Sequence, residues 1–291
     1  MKTIGFAILT WNSVNCIKDC LDAILKLDDT GLVACEISVF DNGSADGTAD
    51  CLRSLASPKI RAAYCDRNIG TTKGRNLAAQ QLPDCDYICF LDSDAYIMDQ
   101  DGILSALDYL DTHPDAGIIG PALVSGDGSI QPSARNIPLR REKFLKVMPF
   151  KSAQRRAEAM EHVSYDDSPD IFPVGYLMSA CIIMKSETYK AIGPWDEKIF
   201  YAPEDVDYCV RAWKNGFKVI YCRTWLVMHE WQRISRKKLV SRHNFSHIKG
   251  LMYFYRKHKH LNRLRAYIQA EYDAACFVPA SEPETEPQDT E

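Results

Sequence analysis

The sequence predicts an α/β fold with a mostly parallel central sheet and helices on both of its faces. Segments with strand and helix patterns alternate through the first hundred residues, and repeated βα units of this kind form parallel sheets. Polar clusters follow three of the predicted strands, at residues 10–12, 41–44 and 92–94. Ligands of parallel sheets bind at the carboxyl ends of the strands, so these clusters predict a ligand site along one edge of the sheet.

Hydrophobic periodicity predicts the elements of the first half in order. Strands are expected where apolar residues run together, at 3–9, 36–40, 60–65 and 87–92. Helices are expected between them, at 14–27, 48–56 and 74–82. In the first of these helices, Ile17, Leu21 and Ile24 recur at helical spacing. The turn formers DNGSADGT end the second strand.

The second half of the chain has a less regular pattern. Residues 121–172 are rich in Pro, Arg and turn formers, which predicts loops and short strands. Beyond them the patterns predict a strand at 175–185, a helix at 204–217, a strand at 218–223 and one or two helices within 237–272. The helix at 204–217 has one apolar stripe and is expected to end at Gly216. No internal repeat or long linker occurs, so we expect one compact unit with two halves.

Composition and charge argue against several classes of function. The net charge of -4 gives no overall attraction for nucleic acid, and no run of about 18 apolar residues predicts a transmembrane helix. The eleven cysteines are scattered without a C-x-x-C pair, which is typical of free thiols in a reducing cytoplasm. We therefore expect a cytoplasmic protein without disulfides, a zinc site or a nucleic-acid partner.

Charge is distributed unevenly toward the C-terminus. Residues 233–265 contain eleven Lys or Arg and no acid, mixed with apolar side chains. This stretch is either a surface for peripheral contact with an anionic membrane or an amphipathic helix that packs on the core with a solvated basic face. The last dozen residues contain five acids and no aromatic residue, so residues 279–291 are predicted to be disordered.

Asp92 and Asp94 follow the fourth predicted strand with one serine between them. Residues i and i+2 of an extended chain point to the same side, so the two carboxylates converge. At about 4 Å two such charges repel by roughly 4 kcal/mol. A divalent cation would offset that repulsion, and carboxylate oxygens suit Mg²⁺ and Mn²⁺. The alternative is a pair of solvated loop acids.

Three other features suggest chemistry, and each has a structural alternative. Asp41 would contact a nucleotide base or ribose, or would only cap the backbone of its own turn. Glu204 and Asp205 begin a predicted helix, where the helix dipole favours carboxylates, but the acidic and aromatic segment around them also suits a general base. His229 follows an apolar segment and is either a structural histidine or part of a site.

Taken together, these motifs resemble those of the family 2 glycosyltransferases with a GT-A fold, across roughly residues 3–260. They occur in the family's order, as ILTWN (8–12), VFDNGSADGT (39–48), NIGTTKGRN (68–76), FLDSDA (90–95), GPWDEKIFYAPEDVDYCVRAWKNGFKV (193–219) and VMHEW (227–231). The resemblance implies a Rossmann-like central sheet, with further helices at the C-terminus. We expect a nucleotide-sugar-binding half at 1–120, an acceptor-binding and catalytic half at 121–232, a basic helical segment at 233–278 and an acidic tail at 279–291.

The resemblance implies an inverting, metal-dependent enzyme that moves a sugar from a UDP- or dTDP-linked donor to a hydroxyl group. The implied acceptor is a glycan, or a lipid-linked or protein-linked molecule, in cell-surface polysaccharide assembly. Asp205 matches the family's catalytic base, with Glu204 beside it, and Asp92, Asp94 and His229 match ligands of Mg²⁺ or Mn²⁺. The residues implied to bind the donor are Thr10, Asn12, Asp41, Asn42, Asn68, Gly70, Arg75, Asp92, Ser93, Arg233 and Arg236.

Within the family, GSIQPSARNIP (128–138) and FYRKH (254–258) are similar to segments of bacterial rhamnosyltransferase-like members. NIGTTKGRN departs from the glycine- and asparagine-rich stretch of many rhamnosyl members, so the donor sugar stays open. Two other functions are weighed beside sugar transfer. A nucleotidyltransferase would have a Gly-rich basic loop where this chain has TWNSVN. An inactive nucleotide-sugar-binding protein would bind a donor without turnover.

Overall fold

A computed structural model describes residues 1–55, 57–163, 168–230 and 242–277, apart from the side chains of 147 and 242–245. The strands are β1 (Lys2–Thr10), β2 (Val33–Asp41), β3 (Ile60–Tyr64), β4 (Tyr87–Asp92), β5 (Ala95–Ile97), β6 (Ala116–Val124), β7 (Ala134–Arg135), β8 (Ile171–Pro173), β9 (Tyr176–Leu177), β10 (Cys181–Lys185) and β11 (Lys218–His229). The helices are α1 (Ile17–Asp29), α2 (Thr48–Ser54), α3 (Thr71–Gln80), α4 (Gln100–Thr112), α5 (Arg140–Val147), α6 (Lys151–Glu161), α7 (Ser186–Ile192), α8 (Glu204–Lys214), α9 (Arg242–Lys257) and α10 (Leu261–Cys276).

One nine-stranded sheet forms the centre of the described chain. Its order is β3-β2-β1-β4-β10-β6-β11-β5, and β8 pairs with β11 outside this path. Strands β1 to β4 are parallel to one another, and β11 is parallel to β6. Strand β10 is antiparallel to both β4 and β6 and so joins the two parallel groups. The predicted mostly parallel α/β sheet is confirmed.

Hydrophobic cores cover both faces of this sheet. Strand β1 shows the alternation that this requires, because Ile4, Phe6 and Ile8 lie in one core and Ala7 lies in the other. Helices α1 and α4 cover the first face, and α8 with the C-terminal helices α9 and α10 covers the second. The strands are therefore buried on both sides, which explains their continuous apolar sequences.

Several predicted elements are confirmed closely. Strand β4 has the predicted bounds, and helix α8 begins at Glu204 and ends before Gly216, whose φ of 81° lies in the left-handed region. The 237–272 pattern forms the two helices α9 and α10. None of the described helices is long and apolar enough to cross a membrane.

The prediction of loops and short strands for 121–172 is wrong where α5 and α6 form. Tertiary contacts explain this hairpin, because the fully buried Glu142 accepts hydrogen bonds from the Leu139 backbone at 2.9 Å and from Arg265 of α10 at 2.5 Å. Arg265 also donates to the carbonyl of Met160 at the end of α6. Partners more than a hundred residues away are invisible to local periodicity.

The prediction of one strand over 175–185 is also wrong, because β9 and β10 are separate. Between them the backbone turns so that Ser179 faces α3. There the Ser179 hydroxyl accepts a hydrogen bond from Arg75 at 2.7 Å, and its carbonyl oxygen accepts another at 3.3 Å. The break between the two strands therefore presents a hydroxyl and a carbonyl oxygen to a buried arginine of α3.

Candidate active site

The three polar clusters meet at one edge of the sheet, as predicted. The parallel register pairs Thr10 with Asp41 and Leu9 with Asp92, so β1, β2 and β4 end side by side. Thr10 is buried, and its hydroxyl has no hydrogen-bond partner among the described residues. Ser93 donates to the hydroxyl of Ser13 at 2.9 Å, which ties the loop after β4 to the loop after β1.

Asp92, Asp94 and His229 form a cluster that could hold a metal ion. One ligand atom from each lies within 4.8 Å of the others. The Nδ1 of His229 donates to the Gln131 side-chain oxygen at 2.8 Å, and Gln131 in turn donates to the His229 carbonyl at 2.8 Å. This pair of bonds leaves the lone pair of Nε2 directed to the carboxylates, 3.6 Å from Asp94.

The electrostatics of this cluster favour a bound cation. Burial and the charge of Asp92 raise the pKa of Asp94 to about 7, and burial lowers the pKa of His229. The raised pKa of Asp94 reflects a negative charge that lacks compensation in the protein alone, and the lowered pKa of His229 favours the neutral imidazole that binds metals. Two carboxylates and one neutral imidazole fit the donor preferences of Mn²⁺ or Mg²⁺.

Arg75 of α3 links the two acidic parts of the site. It is 3% exposed, and its guanidinium donates to Asp92 at 2.7 Å and lies 3.5 Å from Glu204. The Trp195 ring packs against it, 4.9 Å from the guanidinium carbon. The side chain predicted to contact the donor therefore also bridges the metal cluster and the start of α8.

Glu204 and Asp205 stand at the N-terminus of α8. Burial and the neighbouring charge of Asp205 raise the pKa of Glu204 to about 8, against the lowering effect of Arg75. Burial also raises the pKa of Asp205, although its Oδ1 accepts the Val206 backbone N–H at 2.8 Å. With a pKa of about 8, Glu204 largely retains its proton at pH 7.

The predicted donor residues of the first half form two linked turns. Asn12, with a φ of 54°, accepts the Ala45 N–H on its side-chain oxygen at 2.8 Å. Asn42 donates to the side chain of Asn68 at 3.2 Å and to the carbonyl of Gly70 at 3.4 Å. These amides are engaged in holding the turns together around the strand ends.

Asp41 fits the structural interpretation considered from the sequence, and its contact with a nucleotide stays a prediction. Its Oδ1 accepts the hydroxyl of Ser44 at 2.5 Å and the Ser44 N–H at 3.3 Å, so it does cap its own turn. The carboxylate is nevertheless at the end of β2, beside Thr10, where a donor would bind.

Gly70 joins this region to the loop before α8. A Cβ at Gly70 would lie 2.7 Å from the Phe200 carbonyl oxygen, and the next residue, Thr71, donates its N–H to that same oxygen at 2.7 Å. A glycine with a φ of 100° is needed for this close approach. The start of α3 thus fixes the segment that leads into Glu204 and Asp205.

Sequence reasoning missed four residues that support the site: Ser13, Gln131, Ser179 and Trp195. Gln131 was in a quoted motif, but nothing in that motif indicated that it binds His229. Arg233 and Arg236, predicted to bind the diphosphate, lie outside the described residues.

Comparison with known proteins agrees with this geometry. The family model described as glycosyl transferase family 2 matches residues 6–164. The N-acetylglucosaminyl-diphospho-decaprenol L-rhamnosyltransferase of Mycobacterium tuberculosis is 27% identical over 205 residues, 66% of each chain. The amylovoran biosynthesis glycosyltransferase AmsB of Erwinia amylovora is 26% identical over 231 residues, 76% of this chain and 67% of that protein. This chain thus spans just under two thirds of the mycobacterial relative.

Two solved structures share the fold. S. aureus TarS 1–349 in complex with UDP-GlcNAc covers 94% of this chain and 73% of its own, with a TM-score of 0.55 and 17% identity. GalNAc-T7 with UDP, GalNAc and Mn²⁺ covers 79% of this chain and 43% of its own, with a TM-score of 0.56 and 12% identity. These likenesses confirm the GT-A fold.

Proposed function

Because the chain belongs to glycosyl transferase family 2, we propose that it is an inverting, metal-dependent glycosyltransferase. Its donor is a UDP- or dTDP-linked sugar, and its acceptor is a hydroxyl group of a glycan or lipid-linked molecule in cell-surface polysaccharide assembly. The name of the mycobacterial relative describes a diphospho-decaprenol acceptor, and this supports the lipid-linked choice.

One observation carries the proposal: the metal-ligating cluster and the α8 carboxylates are joined through a single buried arginine. Arg75 contacts Asp92 at 2.7 Å and lies 3.5 Å from Glu204. Transfer from a nucleoside diphosphate needs positive charge at the leaving group and a base at the attacking hydroxyl. The described residues supply ligands for the first and a carboxylate for the second within one connected network.

The roles proposed for individual residues follow from this arrangement. Asp92, Asp94 and His229 hold Mg²⁺ or Mn²⁺, which when bound would neutralise charge on the diphosphate. Thr10, Asn12, Asp41, Asn42, Asn68, Gly70, Arg75 and Ser93 surround the donor, and Arg233 and Arg236 are proposed to pair with its phosphates.

Asp205 is proposed to accept the proton of the acceptor hydroxyl. As that proton moves to the carboxylate, the acceptor oxygen forms a bond to the anomeric carbon and the bond from that carbon to the diphosphate breaks. Glu204 is the weaker candidate for this base, since its pKa of about 8 keeps it largely protonated at pH 7. It would instead contact the sugar or the acceptor.

A thermal-shift panel tests the proposal directly. UDP, dTDP, GDP and their sugars are each added with Mn²⁺, Mg²⁺ or EDTA, and a ligand that binds the folded state raises the Tm. We expect a shift with one nucleoside diphosphate that EDTA abolishes and that Asp94→Asn weakens. Asp50→Asn, which changes an exposed acid of α2, serves as the matched control.

No shift with any donor would overturn the proposal. A shift without release of nucleoside diphosphate on any acceptor would instead favour an inactive nucleotide-sugar-binding protein. A shift that EDTA does not change would remove the metal from the proposal and leave Arg75 as the cation at the leaving group.

A further inference from the structure

Helices α5 and α6 form a hairpin whose inner side is held by two buried acids. Glu142 accepts from Arg265 at 2.5 Å, and Glu161 pairs with Lys143 at 3.0 Å and Lys146 at 2.6 Å. Both glutamates are almost fully buried. The inward-facing charges of the hairpin are therefore neutralised within the fold.

The outer side of the hairpin has a different composition. Phe144 of α5 is 65% exposed, and Phe150, the last residue of the connection between the two helices, is 61% exposed. From residue 140 to 156 the chain has seven Lys or Arg, and its one acid is the buried Glu142. The exposed bases are Arg140, Arg141, Lys151, Arg155 and Arg156. The surface thus presents two large aromatic side chains among positive charges, in a protein whose net charge is -4.

The hairpin lies beside the proposed catalytic base and the C-terminal helices. The charge of Lys143 acts to lower the pKa of Asp205, although burial raises it overall. At the other side, Arg140 donates to the Tyr255 carbonyl of α9 at 2.6 Å. The hairpin is therefore tied to α9, and the positive charge of its Lys143 acts on Asp205.

We propose that the outer side of α5–α6, defined by Phe144, Phe150, Lys151, Arg155 and Arg156, docks on an anionic lipid bilayer. The two phenylalanines enter the headgroup region, and the bases contact the negatively charged lipids. Exposed apolar surface rimmed by charge is typical of interaction sites. A purely electrostatic partner would explain the bases but not two phenylalanines that are each mostly exposed.

Among the described residues, the contacts of the basic stretch 233–265 favour the hairpin as the docking element. Part of that stretch is committed to internal pairs, since Lys257 contacts Asp196 at 2.6 Å and Arg265 contacts Glu142 at 2.5 Å. Helix α9 nonetheless exposes Ile248 and Met252. It therefore supplies a matched control surface with the same kind of residues.

The consequence for acceptor binding rests on the proposed function. A docked hairpin would hold Asp205 close to the bilayer surface, where the sugar hydroxyl of a lipid-linked acceptor is found. Lipid docking itself does not depend on sugar transfer, and the two can be tested separately.

Vesicle sedimentation with the full-length protein tests the docking surface. We expect binding to vesicles of phosphatidylcholine mixed with phosphatidylglycerol at low salt, and little binding to phosphatidylcholine alone or at high salt. Lys151→Gln/Arg155→Gln/Arg156→Gln should weaken partition by about a hundredfold, because each base near an anionic surface contributes about fivefold. Phe144→Ala/Phe150→Ala should weaken it by a comparable factor.

Matched variants on the C-terminal helices control for charge and apolar area. Ile248→Ala/Met252→Ala and Arg256→Gln/Lys259→Gln/Arg263→Gln alter exposed residues of α9 and α10 and the connection between them. These should bind vesicles as the unmodified protein does. Equal Tm values across all variants establish that each is folded.

Several results would overturn the docking proposal. Hairpin variants that bind as well as the unmodified protein, or control variants that lose binding instead, would reject this surface. Loss with the charge variant but not with the phenylalanine variant would indicate a site for soluble polyanions, and inorganic phosphate or free glycerol phosphate would then compete. A dimer in sedimentation velocity that the phenylalanine variant dissociates would assign the surface to a second copy.

The donor thermal shift separates this proposal from the proposed function. Hairpin variants should retain the shift of the unmodified protein, since none of the substituted residues is in the donor site. Vesicle binding without any donor shift would reject sugar transfer and leave docking intact. A donor-induced Tm shift without vesicle binding would reject docking and leave the proposed sugar transfer intact.

Discussion

The first turns of helix α8 contain three carboxylates in two contrasting environments. Glu204 and Asp205 are partly buried with few compensating cations, and desolvation raises the pKa of both. Asp207, two residues after Asp205, is only 1% exposed. Its carboxylate accepts hydrogen bonds from His258 at 2.8 Å, Lys257 at 2.9 Å and Arg211 at 3.1 Å. Burial alone would raise its pKa, but these partners lower it.

The contrast separates an acid that stabilises the fold from acids available for chemistry. A fully paired carboxylate holds its negative charge tightly and has little tendency to accept a proton. A carboxylate with few nearby cations lowers the stability of the fold while it is charged. It therefore accepts a proton more readily, as a general base must. Helix α8 therefore combines a structural anchor for α9 with an undercompensated end beside Arg75, where the proposed base lies.

Asp205→Asn should have the largest effect, a loss of transfer rate of about 10³-fold. The amide keeps the size of the side chain but cannot accept the proton of the acceptor hydroxyl. Rates of nucleoside diphosphate release, measured with the donor identified in the thermal-shift panel, check this. The donor-induced Tm shift should be retained, and full activity in this variant would exclude Asp205 as the base.

Asp207→Asn should reduce stability by about 3 kcal/mol, because it leaves Lys257 and Arg211 without their buried anion. Chemical denaturation at pH 7 measures the change in the free energy of unfolding. The control is Asp170→Asn, which removes a surface pair with Arg223 at 2.9 Å and should cost less than about 1 kcal/mol. Equal losses in the two variants would contradict the contrast between paired and surface acids.

The contribution of Asp207 to the free energy of unfolding should fall as the pH falls. Its folded pKa is below the ordinary value, so in acid the unfolded state binds the proton first and stability falls as pH falls. The difference between the unmodified protein and Asp207→Asn should be constant from pH 7 to about pH 5 and should shrink below about pH 4. Unfolding curves at these pH values measure it, and a difference that persists unchanged in stronger acid would reject the lowered pKa.

Glu204→Gln should have the smallest effect of these variants, and it should raise the stability of the folded protein where Asp207→Asn lowers it. The folded pKa of Glu204 is raised to about 8, so the folded state binds its proton more tightly and stability declines as pH rises toward and through 8. Removing the charge should stabilise the protein by about 1 kcal/mol near pH 8.5, partly offset by the lost contact with Arg75. The gain should be near zero at pH 5, and a gain of equal size at both pH values would argue against charge as the cause.

Local patterns predicted the donor side of the site better than the acceptor side. Asp92 and Asp94 were placed by strand alternation, and the ends of β1, β2 and β4 were placed together because parallel strands end at one edge. The half proposed to bind the acceptor includes α5 and α6, whose buried Glu142 is partnered by Arg265. A helix stabilised by such distant partners has no strong local signature.

The residues that tune the site were also beyond sequence reasoning. Gln131 sets the orientation of His229 through two hydrogen bonds, and Ser179 receives Arg75 at the break between β9 and β10. A single glutamine or serine in a sequence does not indicate that the residue supports a functional site. Hydrogen bonds between residues far apart in sequence exist only once the sheet has formed.

The sequence by itself determined the α/β class, which strands end in polar residues, and that the carboxylates of Asp92 and Asp94 point to the same side. These follow from the periods of strands and helices, which act over a few residues. Only the tertiary structure decided that Arg75 bridges Asp92 and Glu204, and that Asp207 is neutralised while Asp205 is not. Those outcomes depend on burial and on charges brought together from distant segments, because the pKa and reactivity of a carboxylate are set by its surroundings in space.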